Sequence, residues 1–115
     1  MNFLIISLST IMIIEHSWIG TLALLKNKTI SKRLGVPLAL FEIFYYTYLT
    51  AVISLLHSDL LFSTFTVFFL ITHVTGGSYY IFKGERQYGS GFYNAYSIYE
   101  FTELAFLLAV FFLFA

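Results

Sequence analysis

The sequence predicts an all-α integral membrane protein, with four transmembrane helices in an antiparallel up-down bundle and a tandem two-helix repeat. Three observations carry that expectation. Hydrophobic residues make up 59% of the 115 residues and charged residues only 10%. A water-soluble domain carries roughly 25% charge, so this chain cannot cover a water-facing surface. The apolar residues fall into four segments, each close to the roughly 20 residues that a helix needs to cross a bilayer. All six basic residues fall into two of the three connections.

The first span is expected at about residues 3–25. Its leading stretch "MNFLIISLST" has no basic region and no small-residue cleavage site, so it reads as a retained span and not as a cleaved signal peptide. The second is expected at about 37–56, with Pro37 in the first helical turn, where a missing N–H costs nothing. The third is expected at about 60–82, with Asp59 or Ser58 as its cap. The fourth is expected at about 92–115. Strands are not expected: the apolar runs are too long, they do not alternate, and a spanning barrel needs at least eight strands. The whole chain, 1–115, reads as a single four-helix domain.

Lys26, Lys28, Lys32 and Arg33 lie in the first connection, residues 26–35. Lys83 and Arg86 lie in the third, 83–91. The positive-inside rule makes both connections cytoplasmic, leaving the termini and the short turn His57-Ser58-Asp59 outside. Net charge is zero, so no nucleic-acid partner is expected. The chain has no cysteine, which removes disulfides, thiolate metal sites and cysteine nucleophiles.

Sliding the first half along the second by 57 residues superposes Leu4 on Leu61, Ser9 on Thr66, His16 on His73, Gly20 on Gly77 and Lys26 on Lys83. A shift of 58 then superposes Glu42 on Glu100, Leu49 on Leu107 and Val52 on Val110. The His, Gly, Lys and Glu matches carry the inference, because leucine coincidences are common in membrane helices. Spans one and three run in the same direction, so the repeat is a parallel one.

The ionisable residues fall at one depth. Glu15 and His16 lie about ten residues from Lys26, or roughly 15 Å at 1.5 Å per residue. His73 lies as far from Lys83. Glu42, Glu100 and Glu103 lie between the cytoplasmic third and the midplane. Buried charges each cost a few kcal/mol in a bilayer, so all six are expected to face one another inside the bundle. His16 shares a helical face with Ser9, Gly20 and Ala23, and His73 with Thr66, Gly77 and Tyr80. Small residues let helices approach closely. Glu100 and Glu103, three apart, point the same way.

Three functions fit such a layer. The first is a bound transition metal or haem b. Glu15, His16, Glu42, His73, Glu100 and Glu103 supply the metal donors; for a haem, His16 and His73 are the axial pair, and Gly20 and Gly77 leave room beside it. The chain would then be a subunit of a larger membrane complex or a homo-oligomer, with the lipid bilayer as its constant partner. The paired Glu-x-x-His motif of dinuclear carboxylate bundles is absent from the sequence. The second is a structural or assembly subunit, in which neutral Glu and His hydrogen-bond across helices. The third is proton-coupled transport of a small molecule, since intramembrane Glu and His chains serve as proton relays. In length and in a glutamate deep in span one, Glu15, the chain resembles the small multidrug resistance transporters in outline. It lacks their glycine-rich surroundings, and nothing of that family is carried over.

The remaining features read as structural. His57 is expected to be solvated, Trp18 and most tyrosines to pack, and the phenylalanines to face lipid. There is no Walker loop, nucleophile elbow, metalloprotease helix or dinucleotide fingerprint. The connections are too short for a soluble active site, so any chemistry belongs to the bundle.

Overall fold

The computed structural model describes residues 2–56, 59–83 and 89–115. It contains four helices, α1 (Phe3–Lys26), α2 (Lys32–Leu56), α3 (Leu60–Lys83) and α4 (Ser90–Phe114), and no strand among the described residues. All four are long and apolar enough to cross a membrane, which is the environment that the composition demands. A helix satisfies its own backbone polar groups, and lipid offers no other partner. The hydroxyls follow the same economy. Thr10, Ser17, Thr21, Thr47, Thr50, Thr66, Thr75 and Thr102 each donate to the carbonyl four residues back. A threonine facing lipid therefore needs nothing from outside its helix.

The helices pack as two pairs, α1 with α4 and α2 with α3. Both pairs are antiparallel. In the first, the Asn2 N–H donates to the Phe114 carbonyl, and Gly20 faces Phe101 and Glu100. In the second, Tyr46 stacks on Phe69, Glu42 meets His73 and Gly35 meets Tyr80. Contacts step down one helix as they step up the other.

Each pair closes along a seam of buried residues three and four apart. On α1 these are Ile5, Ser9, Met12, His16, Ile19 and Ala23; on α4 they are Tyr93, Ser97, Glu100, Glu103, Leu107, Val110 and Phe114. On α2, Tyr46, Leu49 and Ile53 follow the same step, as do Thr66, Phe69 and His73 on α3. A 3.5-residue period keeps two helices in contact along their length by knobs-into-holes packing. The residues outside the seam, among them Phe3, Ile14, Leu55, Phe82, Ile98 and Phe112, are exposed and apolar, as a lipid-facing surface requires. Trp18 is exposed with them, contrary to its expected packing role, and Phe69 and Phe114 are buried, so not all phenylalanine faces lipid.

The ends differ from expectation in three places. α2 starts at Lys32, so Lys32 and Arg33 belong to the helix and the first connection is shorter than 26–35. The Ser31 carbonyl opens it, accepting from the N–H groups of Leu34 and Gly35. Pro37 consequently lies inside the helix, beyond the first turn where it was expected. Its ring costs the Arg33 carbonyl a donor, but that carbonyl is in the first turn, at the polar end of the span. α4 starts at Ser90, slightly before the expected 92. Asp59 does cap α3, its Oδ1 accepting from the Phe62 N–H at 3.0 Å. The rest of the expected outer turn, His57 and Ser58, lies outside the described residues, as do 84–88 of the third connection.

Asn2 caps α1 in the same way, its Oδ1 accepting from the Ile5 N–H at 3.2 Å. Asn2 and Ile5 stand where the 57-residue shift puts Asp59 and Phe62. The repeat thus extends to the helix caps, where the sequence comparison had nothing identical to match.

Gly35 lies closer than Gly77 to the partner helix of the α2·α3 pair. A Cβ there would strike the Tyr80 hydroxyl and lie 2.9 Å from Tyr80 Cζ. Gly35→Ala is expected to cost about 1 kcal/mol, the low end for overpacking because the tyrosine ring can swing aside. Thermal unfolding in detergent checks it. The penalty should vanish in a Tyr80→Leu background; an equal penalty in both backgrounds would contradict the contact.

Candidate functional site

The first helix places Glu15 and His16 more than halfway along the α1 seam, and both are buried. Its seam neighbours are small one turn on, at Gly20, and at Ala23 beyond it, which lets α4 come close. A Cβ at Gly20 would lie 3.3 Å from Glu100 Cβ and 3.2 Å from Phe101 Cζ. That approach brings two α4 carboxylates to one imidazole. His16 Nδ1 is hydrogen-bonded to Glu100 Oε2, and His16 Nε2 lies 2.9 Å from Glu103 Oε2. Glu100 and Glu103 are three apart, so they project from the same side of α4, one about 4.5 Å further along the helix than the other. The ring fills the space between them. The three side chains are at most 4% exposed.

The α2·α3 pair contains the other two expected residues. His73 Nδ1 lies 2.7 Å from the Phe69 carbonyl oxygen, and its Nε2 lies 3.2 Å from Glu42 Oε2. Tyr46 packs on the His73 ring with centroids 4.8 Å apart, and Tyr45 meets Tyr46 edge-on at 5.1 Å. Gly77 faces Ile43 Cδ1 and Ala39 Cβ at ordinary contact distances. Gly20 and Gly77 were expected to leave room for a flat cofactor. Each lies beside side chains of its own pair, Phe101 and Glu100 in one case and Ile43 and Ala39 in the other.

Electrostatics dictates what the α1·α4 group can do. With Glu15, Glu100 and Glu103 ionised and His16 protonated, it would carry a net charge of minus two. Each uncompensated ion in such surroundings costs several kcal/mol. Protons on the group, or a cation in their place, would remove that cost. His16, Glu100 and Glu103 each offer a donor atom, all within 4.8 Å of one another. The two carboxylates, however, lie on different ring nitrogens, whose lone pairs diverge. An ion on Nδ1 meets Glu100, and an ion on Nε2 meets Glu103.

Some of this was beyond the sequence. Gly35 and the Phe69 carbonyl were not singled out, and Tyr80 was placed on the face of His73 but not against Gly35. Tyr45 was not singled out either, although the 58-residue shift puts it on Glu103. No family model matches the chain, and no curated protein or solved structure matches it.

Removing the ring should leave two carboxyl groups facing each other without their shared partner. His16→Leu is expected to lower stability by about 3 kcal/mol, the scale for breaking a buried pair. Adding Glu100→Gln and Glu103→Gln should recover part of that loss, as read by unfolding in detergent. A second check is Gly20→Ala, which pushes on Glu100 Cβ and should shift the infrared carboxyl band of Glu100. An unmoved band would show that the glycine does not set that approach.

Proposed function

We propose that this multi-pass membrane protein carries protons through its α1·α4 pair, along Glu100, His16 and Glu103. The observation that supports the reading is the placement of a carboxyl oxygen at each ring nitrogen of one buried imidazole. Imidazole can accept a proton at one nitrogen while releasing another from the second. In one step Glu100 gives its proton to Nδ1, and the proton on Nε2 passes to Glu103. One proton enters and one leaves, and the ring is neutral before and after. A rotation of the ring that presents the bare Nε2 to Glu100 and Nδ1–H to Glu103 then readies it for the next proton. The transfer advances the proton by about one helical turn, roughly 4.5 Å along α4. Glu15, buried beside His16, adds one more exchangeable proton to the group.

The basic ends of the helices face the cytoplasm, by the positive-inside rule, so Glu100 is the cytoplasmic member of the relay and Glu103 the deeper one. A chain with such short connections works through other membrane subunits or through copies of itself. Such a partner would supply what the proton drives.

A second reading is a transition metal held by His16 with Glu100 or Glu103, favoured by three buried donors within 4.8 Å. Such an ion would displace protons from the same atoms. A haem draws less support, because both ring nitrogens of His16 and of His73 already face an oxygen atom.

Proteoliposomes with an imposed pH gradient and an internal pH dye provide the test. The full-length protein should dissipate the gradient, and Glu100→Gln or Glu103→Gln should each slow it by about 100-fold, the low end for a positioned acid–base group. A wild-type protein that leaves the gradient intact would sink the relay. Metal bound by the purified protein and lost with Glu103→Gln would then establish the second reading.

A further inference from the structure

The two helix pairs are copies of one design. Shifts of 57 and 58 residues carry the α1·α4 pair onto the α3·α2 pair at the caps (Asn2, Asp59), in the seam (Ser9, Thr66; Met12, Phe69; Leu107, Leu49) and at the glycine contacts. Gly20 lies against Phe101, and Gly77 lies against Ile43, the residue at the equivalent position. His73 meets Glu42 where His16 meets Glu100, but through the other ring nitrogen, Nε2 in place of Nδ1. Among the buried glutamates of the first pair, the likeness stops at two positions. Tyr45 stands where α4 has Glu103, and Thr72 stands where α1 has Glu15.

The loss of the second carboxylate shows in the ring. His73 Nδ1 lies 2.7 Å from the Phe69 carbonyl oxygen. A carbonyl only accepts, so Nδ1 carries a hydrogen. Nε2 then faces Glu42 Oε2 at 3.2 Å. Two lone pairs at that distance repel, so a proton lies between them. Tyr46 packs on the ring from α2 and Phe69 is one turn away on α3, while Tyr45 is buried in the seam.

We propose that His73 and Glu42 form a second proton-binding site, one that holds a single proton and cannot pass it through the ring. The far nitrogen ends on a peptide carbonyl, which has no proton to give and does not accept one. The proton enters and leaves at Glu42 only. On the relay reading of His16, on which this contrast alone rests, the two pseudo-equivalent histidines divide into one that conducts and one that stores. The His73 assignment is independent of the relay reading, because it is read at His73 alone.

The test is ring-nitrogen NMR of the full-length protein in lipid bilayers, labelled with 15N-histidine. Subtracting the spectrum of His73→Gln from that of wild type isolates His73. Its Nδ1 should appear protonated and unmoved by Glu42→Gln, while its Nε2 should shift with that substitution. A bare Nδ1, or an Nε2 indifferent to Glu42→Gln, would overturn the assignment. If Glu42→Gln does not fold, the infrared difference between wild type and His73→Gln reads the same proton, through a shift in the Glu42 carboxyl band; no shift is the contrary result. Tyr45→Glu restores the missing carboxyl group. It should move His73 Nδ1 off the carbonyl, and an unchanged Nδ1 signal would contradict the equivalence of Tyr45 and Glu103.

Discussion

Ionisable side chains inside a bilayer must find one another, and in this protein that requirement is met by placing His16 between Glu100 and Glu103. Much of the local structure follows from the arrangement. Two carboxylates can bracket a ring only if they project from one side of a helix, hence the three-residue spacing. They can reach it only if the backbones come close, hence Gly20 under Glu100 Cβ and Phe101. The antiparallel direction brings the carboxylates, midway along α4, to the same depth as His16 on α1. Beyond the site the seam closes with Met12, Leu107 and Val110, each 0% exposed, so packing holds what the polar group alone would not. Interhelical hydrogen bonds in membranes contribute only about 1 kcal/mol each, too little without that seam.

The pairing of the helices gives the repeat its meaning. Each sequence half supplies one helix to each pair: α1 packs with α4, and α2 with α3. Similar contacts consequently occur twice, once between the first and last helices and once between the two middle ones. A duplicated pair is free to diverge, since one copy can keep the register while the other changes its chemistry. Here the change is concentrated in the acidic residues. The first pair brings two glutamates to its histidine and buries a third, Glu15, next to it in the chain; the second brings one, with Tyr46 packed on the ring.

The number of spans and their approximate limits were legible in the sequence, and Glu and His stood out against the apolar residues around them. The common face of Ser9, His16, Gly20 and Ala23 was legible from helical periodicity. The partner of each helix was not. In a membrane, apolar residues face both lipid and protein, so hydropathy carries no mark of which face meets which helix. The start of α2 was misplaced because hydropathy locates the span and not the helix; Lys32 and Arg33 continue the helix into the polar region. The ring partners of His16 and His73 were out of reach for a different reason. Each depends on a rotamer set by several neighbours, among them a backbone carbonyl that no sequence motif marks.

The most direct measurement of the central claim is the distance from each His16 ring nitrogen to the nearest glutamate carboxyl carbon, by dipolar-coupling NMR on 15N,13C-labelled protein in bilayers. The account predicts a carboxyl carbon close to both nitrogens, the one near Nδ1 lost with Glu100→Gln and the one near Nε2 lost with Glu103→Gln. A single close carboxyl carbon, or two that both belong to one nitrogen, would contradict it.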